Sequence, residues 1–259
     1  MALTLLFAAV SGGLTALLCV GGMAYWWILP VWVGLYVVVA LVYVVLLFGS
    51  LYLFLPAGNP SPRLRRFEQW LIKSLMRFLL VILGARVKVQ GADKLPEEPY
   101  LLVGNHRSAF DPISSLAALH SPLVFVAKPA VLEIPVIGPV LGKLNFLAID
   151  RENARNAVTT IKRAAELIRD VGLCVGIYPE GTRSKDGNLL PFHAGSFKIA
   201  KLANCPVAVV SVRIKKWGKL PRRVELRVLD VMDAAYVAES NTAAMAERTE
   251  KALRDDLGL

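Results

Sequence analysis

The sequence has 259 residues, a formal net charge of +10 and a hydrophobic share of 55%. That length suits one sizeable domain with an appended segment, and the apolar share exceeds the roughly 45–50% of ordinary soluble domains. Its three cysteines, Cys19, Cys174 and Cys205, are odd in number and scattered, which excludes a disulfide framework and fits small buried hydrophobes in a reducing compartment.

The apolar excess lies at the front. The first charged side chain is Arg63, so 62 residues pass without Asp, Glu, Lys or Arg. A bilayer core needs about 20 apolar residues per helix. Residues 1–58 are therefore expected to be a membrane anchor with two transmembrane helices, at about 3–24 and 31–55. One long re-entrant hairpin is the alternative topology. Pro30 is placed to begin the second helix, and Tyr25, Trp26 and Trp27 fit an aromatic belt at the water interface. A cleaved signal peptide would have a basic start and a shorter apolar run.

Arg63, Arg65, Arg66, Lys73 and Arg77 follow the second span directly. The excess of positive charge on this side predicts that it faces the cytoplasm, in a cytoplasmic membrane, with the domain that follows on the same side. A basic domain also implies an anionic partner. The uncharged front end points to a lipid bilayer. No arginine-rich tract interleaved with aromatics is present, so no nucleic-acid partner is expected.

Residues 59–84 are expected to form an amphipathic interfacial helix. Leu64, Phe67, Trp70, Leu71, Leu75, Phe78 and Ile82 recur at helical spacing with basic residues between them. A helix packed on the domain core would show the same pattern, and the two readings are compatible on different faces.

Residues 85–259 alternate between strands and helices. Strands are predicted at Val87–Gln90, Tyr100–Gly104, Leu123–Ala127, Asn145–Ile149, Leu173–Tyr178, Val207–Ile214 and Val224–Leu229. Helices are predicted at 112–119, 137–143, 153–171, 195–203 and 241–256, and a polar turn from Asp93 to Pro99. Short apolar strands alternating with amphipathic helices imply an α/β fold: a mixed, largely parallel sheet covered by helices.

Two segments carry most of the chemistry. In Gly104-Asn105-His106-Arg107-Ser108-Ala109-Phe110-Asp111-Pro112 a strand ends, a histidine follows at once, and an aspartate comes five residues later before a helix. At a strand–loop–helix corner these side chains can meet. A carboxylate on one ring nitrogen fixes the tautomer and raises the basicity of the other. Imidazole, with an unperturbed pKa of about 6.5, then suits a general base acting on an alcohol. Asp111 before Pro112 also reads as a helix N-cap. A metal site lacks an evident third ligand, and none is expected.

In Tyr178-Pro179-Glu180-Gly181-Thr182-Arg183-Ser184 a turn follows a strongly apolar strand, at the sheet edge where ligands bind in open α/β folds. Gly181 permits close backbone approach, and Arg183 offers a planar fork for phosphate. A surface turn with a solvated arginine is the plain alternative. Lys128 ends a strand and either meets an anion or is solvated. Asp150-Arg151 forms either a local ion pair or a substrate contact. His193 and His120 read as structural. No Gly-x-Ser-x-Gly elbow, Gly-x-x-x-x-Gly-Lys-Ser/Thr loop or Gly-x-Gly-x-x-Gly fingerprint occurs.

Taken together, His106-x4-Asp111, then Phe146-Leu147-Ala148-Ile149-Asp150-Arg151, then Glu180-Gly181-Thr182-Arg183, then a proline-containing apolar strand, resemble the glycerolipid acyltransferases, and within them the PlsC-type lysophosphatidic acid acyltransferases. The resemblance covers roughly residues 85–230. It implies that His106 is the general base and Asp111 its orienting partner. It implies that Lys128 and Arg183 hold the acceptor's phosphate, with Glu180, Gly181 and Thr182 lining the site beside them. The implied reaction moves a fatty acyl group from coenzyme A or acyl carrier protein to the sn-2 hydroxyl of lysophosphatidic acid. No cofactor is expected, and backbone N–H groups near Gly181 are candidate oxyanion donors. Another lysolipid acceptor, or a non-catalytic lipid-binding scaffold, is the alternative.

Overall fold

The computed structural model describes residues 2–20, 27–54, 62–135, 137–150, 152–184, 188–218 and 220–259. Tyr25, Trp26 and Arg151 lie outside these residues, and so do the side chains of Arg63, Leu64 and Arg65. The chain divides into two compact units, Met1–Leu55 and Pro56–Leu259.

The first unit is a helical hairpin. Helix α1 spans Ala2–Val20 and α2 spans Ile28–Phe54. Phe7 is buried between them, edge-on to Tyr36 and Tyr43. Gly12 faces the Trp32 indole, which lies against α1 there. Ser11 and Thr15 donate back to the carbonyls of Phe7 and Ser11, both at 2.8 Å, which satisfies their hydroxyls within the helix. Helix α2 starts two residues before Pro30, which therefore falls in the first turn, where its missing N–H costs nothing. Within α2, Ile28–Leu47 is long and apolar enough to cross a membrane. The apolar run of α1, Leu5–Val20, is shorter. Among the described residues one helix, rather than the expected two, has spanning length.

The second unit opens with α3, Pro62–Ile82. Its apolar residues do not share one face. Leu71, Ile72, Leu75 and Phe78 are buried, while Phe67, Trp70, Val81 and Ile82 are exposed. Phe67 and Trp70 stack on the outside at 6.0 Å. The core-packing reading of this helix holds for the buried face. Helix α3 packs on α4, Phe110–Ala118. Lys73 Nζ donates to the His120 carbonyl at 2.5 Å and Arg77 Nε to the Ala117 carbonyl at 2.8 Å. These cations satisfy the carbonyls that a helix C-terminus leaves open.

Seven strands form one sheet: β1 Arg86–Gln90, β2 Leu101–Gly104, β3 Leu123–Ala127, β4 Leu147–Ala148, β5 Cys174–Ile177, β6 Val207–Trp217 and β7 Leu220–Met232. Their order is β1-β7-β6-β2-β5-β3-β4. All neighbours are parallel except β6 and β7, which form a hairpin. The helix-covered, largely parallel sheet is the architecture the alternating pattern predicts. Strands β2 and β5 are buried along their whole length, as central parallel strands with helices on both faces must be.

The remaining helices are α5 Pro129–Leu132, α6 Ile137–Lys143, α7 Ala154–Glu166, α8 Lys198–Ala203, α9 Ala234–Glu239 and α10 Thr242–Leu257. Helix α7 runs on through a π-turn, Leu167–Val171, and stops at Gly172, whose φ of 75° only glycine adopts easily. Strands β6 and β7 are longer than predicted, because their charged outer ends still pair.

Candidate active site

Strands β2, β5 and β3 are adjacent and parallel, so the segments leaving their carboxyl ends share one edge of the sheet. These segments begin at Asn105, Tyr178 and Lys128. Neighbouring strands lie about 4.8 Å apart, so the sheet alone brings the three predicted segments side by side.

Gly104 permits this junction. A Cβ there would stand 2.3 Å from the Val210 carbonyl oxygen of β6. Asn105 extends the sheet by one side chain. It is fully buried, accepts from Val212 N–H at 2.7 Å, and donates to the Val212 carbonyl at 2.9 Å. The main chain of His106 is held from the β5 side. Its N–H donates to Glu180 Oε1 at 2.6 Å, and its carbonyl accepts from Ser184 N–H at 2.9 Å.

Asp111 is buried and meets His106 as the spacing predicts. His106 Nδ1 lies 2.9 Å from Asp111 Oδ2, and the two side chains are 18% and 0% exposed. The same oxygen accepts Arg107 N–H and Ser108 N–H, both at 2.7 Å. An oxygen receiving two backbone donors is an acceptor, so the histidine donates from Nδ1. Nε2 is then left with its lone pair. Asp111 does not cap the helix. Helix α4 begins at Phe110, and the aspartate sits in the first turn with its carboxylate folded back over residues 106–108.

Tyr178 completes the arrangement, and the sequence reading assigned it no role. Its ring lies flat on the imidazole, with centroids 4.5 Å apart and planes 8° apart. Phe125 stacks behind it at 5.5 Å. Burial pushes the pKa of its phenol well above the ordinary value. An aromatic at the end of an apolar strand was the available signal, but stacking between β2 and β5 segments is not local in sequence. Gly176 makes room for the stack, because a Cβ there would stand 2.3 Å from the Phe125 ring. Gly176→Ala is expected to cost about 1–3 kcal/mol by overpacking and to lower turnover by tilting the imidazole. Thermal denaturation and steady-state rates on one preparation check both.

The other predicted residues separate into two groups. Glu180 is buried, and both its oxygens serve the backbone: Oε1 holds His106 N–H and Oε2 holds Leu190 N–H at 3.0 Å. Burial raises its pKa, with these two N–H donors opposing the shift. Its carboxylate braces the loops. Gly181 turns the chain with φ 75°, and its N–H donates to the Tyr178 carbonyl at 3.1 Å, so that N–H is already engaged. Thr182, Arg183 and Lys128 are exposed. Asp150 makes a local cap, accepting Glu152 N–H at 3.0 Å. His193 is the N-cap residue of a short 3-10 turn, and the His120 carbonyl receives Lys73.

Against known proteins, the family model described as acyltransferase matches residues 86–215. The chain is 35% identical over 158 residues to the chloroplastic 1-acyl-sn-glycerol-3-phosphate acyltransferase BAT2 of Brassica napus, covering 60% of this chain and 44% of that protein. It is 27% identical over 191 residues to the human enzyme named 1-acyl-sn-glycerol-3-phosphate acyltransferase alpha, covering 71% and 68%. The chain therefore spans less than half the length of its chloroplastic relatives. Its fold is similar to the crystal structure of the 1-acyl-sn-glycerophosphate acyltransferase PlsC from Thermotoga maritima, with a TM-score of 0.67 and 22% identity over 83% of this chain and 87% of that one. The family match takes in β1 through most of β6, and with them His106, Asp111 and the whole segment from Tyr178 to Ser184: the chain belongs to the acyltransferase family.

Proposed function

We propose that this chain transfers a fatty acyl group from a thioester, on coenzyme A or acyl carrier protein, to the sn-2 hydroxyl of 1-acylglycerol-3-phosphate at a membrane surface. The observation that carries the reading is the Asp111–His106 pair, which leaves Nε2 as a free base at the sheet edge. The names of the relatives support the acceptor.

On this reading, Nε2 takes the proton of the acceptor hydroxyl as its oxygen attacks the thioester carbonyl. The tetrahedral intermediate collapses, the C–S bond breaks, and the imidazolium returns its proton to the departing thiolate. Asp111 stabilises the transient imidazolium. General-base assistance supplies about 10²–10⁴-fold, and holding the acceptor in place supplies much of the rest. Arg183 and Lys128, exposed at the ends of adjacent strands, are the residues proposed to grip the acceptor phosphate. Gly181 and Thr182 shape the turn that presents Arg183. The anchor unit would hold the site at the headgroup plane on the cytoplasmic face of the membrane, with α3 lying along it. A two-chain product then never has to enter water.

The test is transfer of radiolabelled acyl from either thioester to lysophosphatidic acid and to a phosphate-free lysolipid. Transfer to the phosphorylated acceptor is expected. Activity confined to the phosphate-free lipid would overturn the acceptor, and no transfer to any lysolipid would favour a scaffold. Arg183→Ala should raise KM for lysophosphatidic acid about 10- to 100-fold, the worth of one hydrogen bond to a charged group, with kcat changed much less.

A further inference from the structure

The β6–β7 hairpin runs well past the end of β2 on the side of the candidate site. Strand β2 pairs with β6 only as far as Gly104↔Val210, yet β6 continues to Trp217. Seven more residues at about 3.3 Å each carry it roughly 23 Å beyond the end of β2. Asn105 is level with Val212, so Lys215 stands about 10 Å farther out along the same strand direction.

The register aligns like charges on this projection. Arg86 of β1 pairs with Arg223 of β7, and Arg223 pairs with Lys215 of β6. Residues in register across three strands share a face, and all three of these side chains are exposed. Like charges directly opposite one another destabilise a sheet. One carboxylate partner of this row is Glu225, whose Oε1 lies 3.0 Å from Arg223 Nε. Farther from the tip the pattern differs: Arg213 and Arg227 both meet Asp256 of α10, each at 3.1 Å, and Arg227 also draws on Glu225 at 3.3 Å. Acidic side chains therefore balance the inner cations and leave the outer row in excess. Beyond that row, Trp217 and Leu220 are paired at the hairpin end, between Lys216 and Arg222.

We propose that the Arg86–Arg223–Lys215 row binds the anionic headgroups of a bilayer beside the acyl-transfer site. Lipid phosphates would relieve the repulsion within the row. A tryptophan beside cations is the composition that settles at a membrane interface, whereas an acidic protein partner has no need of the Trp217–Leu220 end. The proposal rests on the membrane placement of the chain but not on its chemistry.

The test uses the full chain in nanodiscs, with an environment-sensitive fluorophore on Arg222→Cys in a Cys19→Ser background. Co-elution of chain and disc tests the membrane placement separately. Discs with about 30% phosphatidylglycerol are expected to blue-shift the fluorophore relative to pure phosphatidylcholine, and high salt should reverse the shift. Each interfacial cation is worth about five-fold in affinity, so Arg86→Gln/Lys215→Gln/Arg223→Gln should weaken the response to anionic lipid on the order of 100-fold. The triple variant should melt at or above the wild-type temperature in neutral detergent, because it removes repulsion. Arg86→Lys/Arg223→Lys should keep the shift. A shift that survives the triple substitution, or one evoked in phosphatidylcholine discs by acyl carrier protein and not by phosphatidylglycerol, would overturn the proposal.

Discussion

His106→Ala is expected to reduce acyl transfer by about 10²–10⁴-fold while the chain stays folded. In the proposed mechanism the imidazole is a base and not a structural brace. Its main-chain N–H and carbonyl are held by Glu180 and Ser184, and neither bond involves the side chain. Asp111 keeps both its backbone donors when the ring is removed. What the substitution deletes is one stacking partner of Tyr178 and one hydrogen bond, against a total stability of about 5–15 kcal/mol for a domain. Thermal denaturation should move by a few degrees. A variant that loses activity only by unfolding would show a collapsed melting transition instead.

Asp111→Asn is the second large effect, and it separates charge from shape. The amide oxygen can still accept from Arg107 and Ser108, so α4 keeps its attachment to the loop at a cost of about 1–3 kcal/mol. The ring Nδ1–H meets that same oxygen position and keeps its acceptor too, so what is lost is the negative charge that stabilises the imidazolium. In another His–Asp pair the same neutralisation costs about 10⁴-fold, and a loss up to that order is expected in kcat/KM. Substrate binding should change little. If Asp111→Asn transfers acyl groups at the wild-type rate, the carboxylate is only a loop anchor.

The sequence made the site partly legible. The five-residue spacing from His106 to Asp111 follows from a strand running into a helix, a local geometry, and the two side chains meet as that geometry requires. The placement of Lys128 and Arg183 on one sheet edge follows from parallel strands, also readable from the alternation of strands and helices. What stayed hidden depends on pairing between distant segments. Glu180 reads as a substrate contact until His106 and Leu190 are seen to need its oxygens. Tyr178 becomes a platform only when β5 lies beside β2. The apolar residues of α3 read as one stripe, but Phe67 and Trp70 point away from the side that packs on α4. The outer ends of β6 and β7 carry too much charge to read as strands, and the cationic row exists only through their register.

The proposed chemistry turns on which nitrogen of His106 carries the proton. The chain has three histidines, His106, His120 and His193, so 15N-histidine spectra can be assigned by subtracting His106→Ala. At neutral pH the His106 imidazole should carry its proton on Nδ1 and present a bare Nε2, and Asp111→Ala, which removes the acceptor, should mix that preference. A wild-type ring protonated on Nε2, and unchanged by Asp111→Ala, would contradict the account.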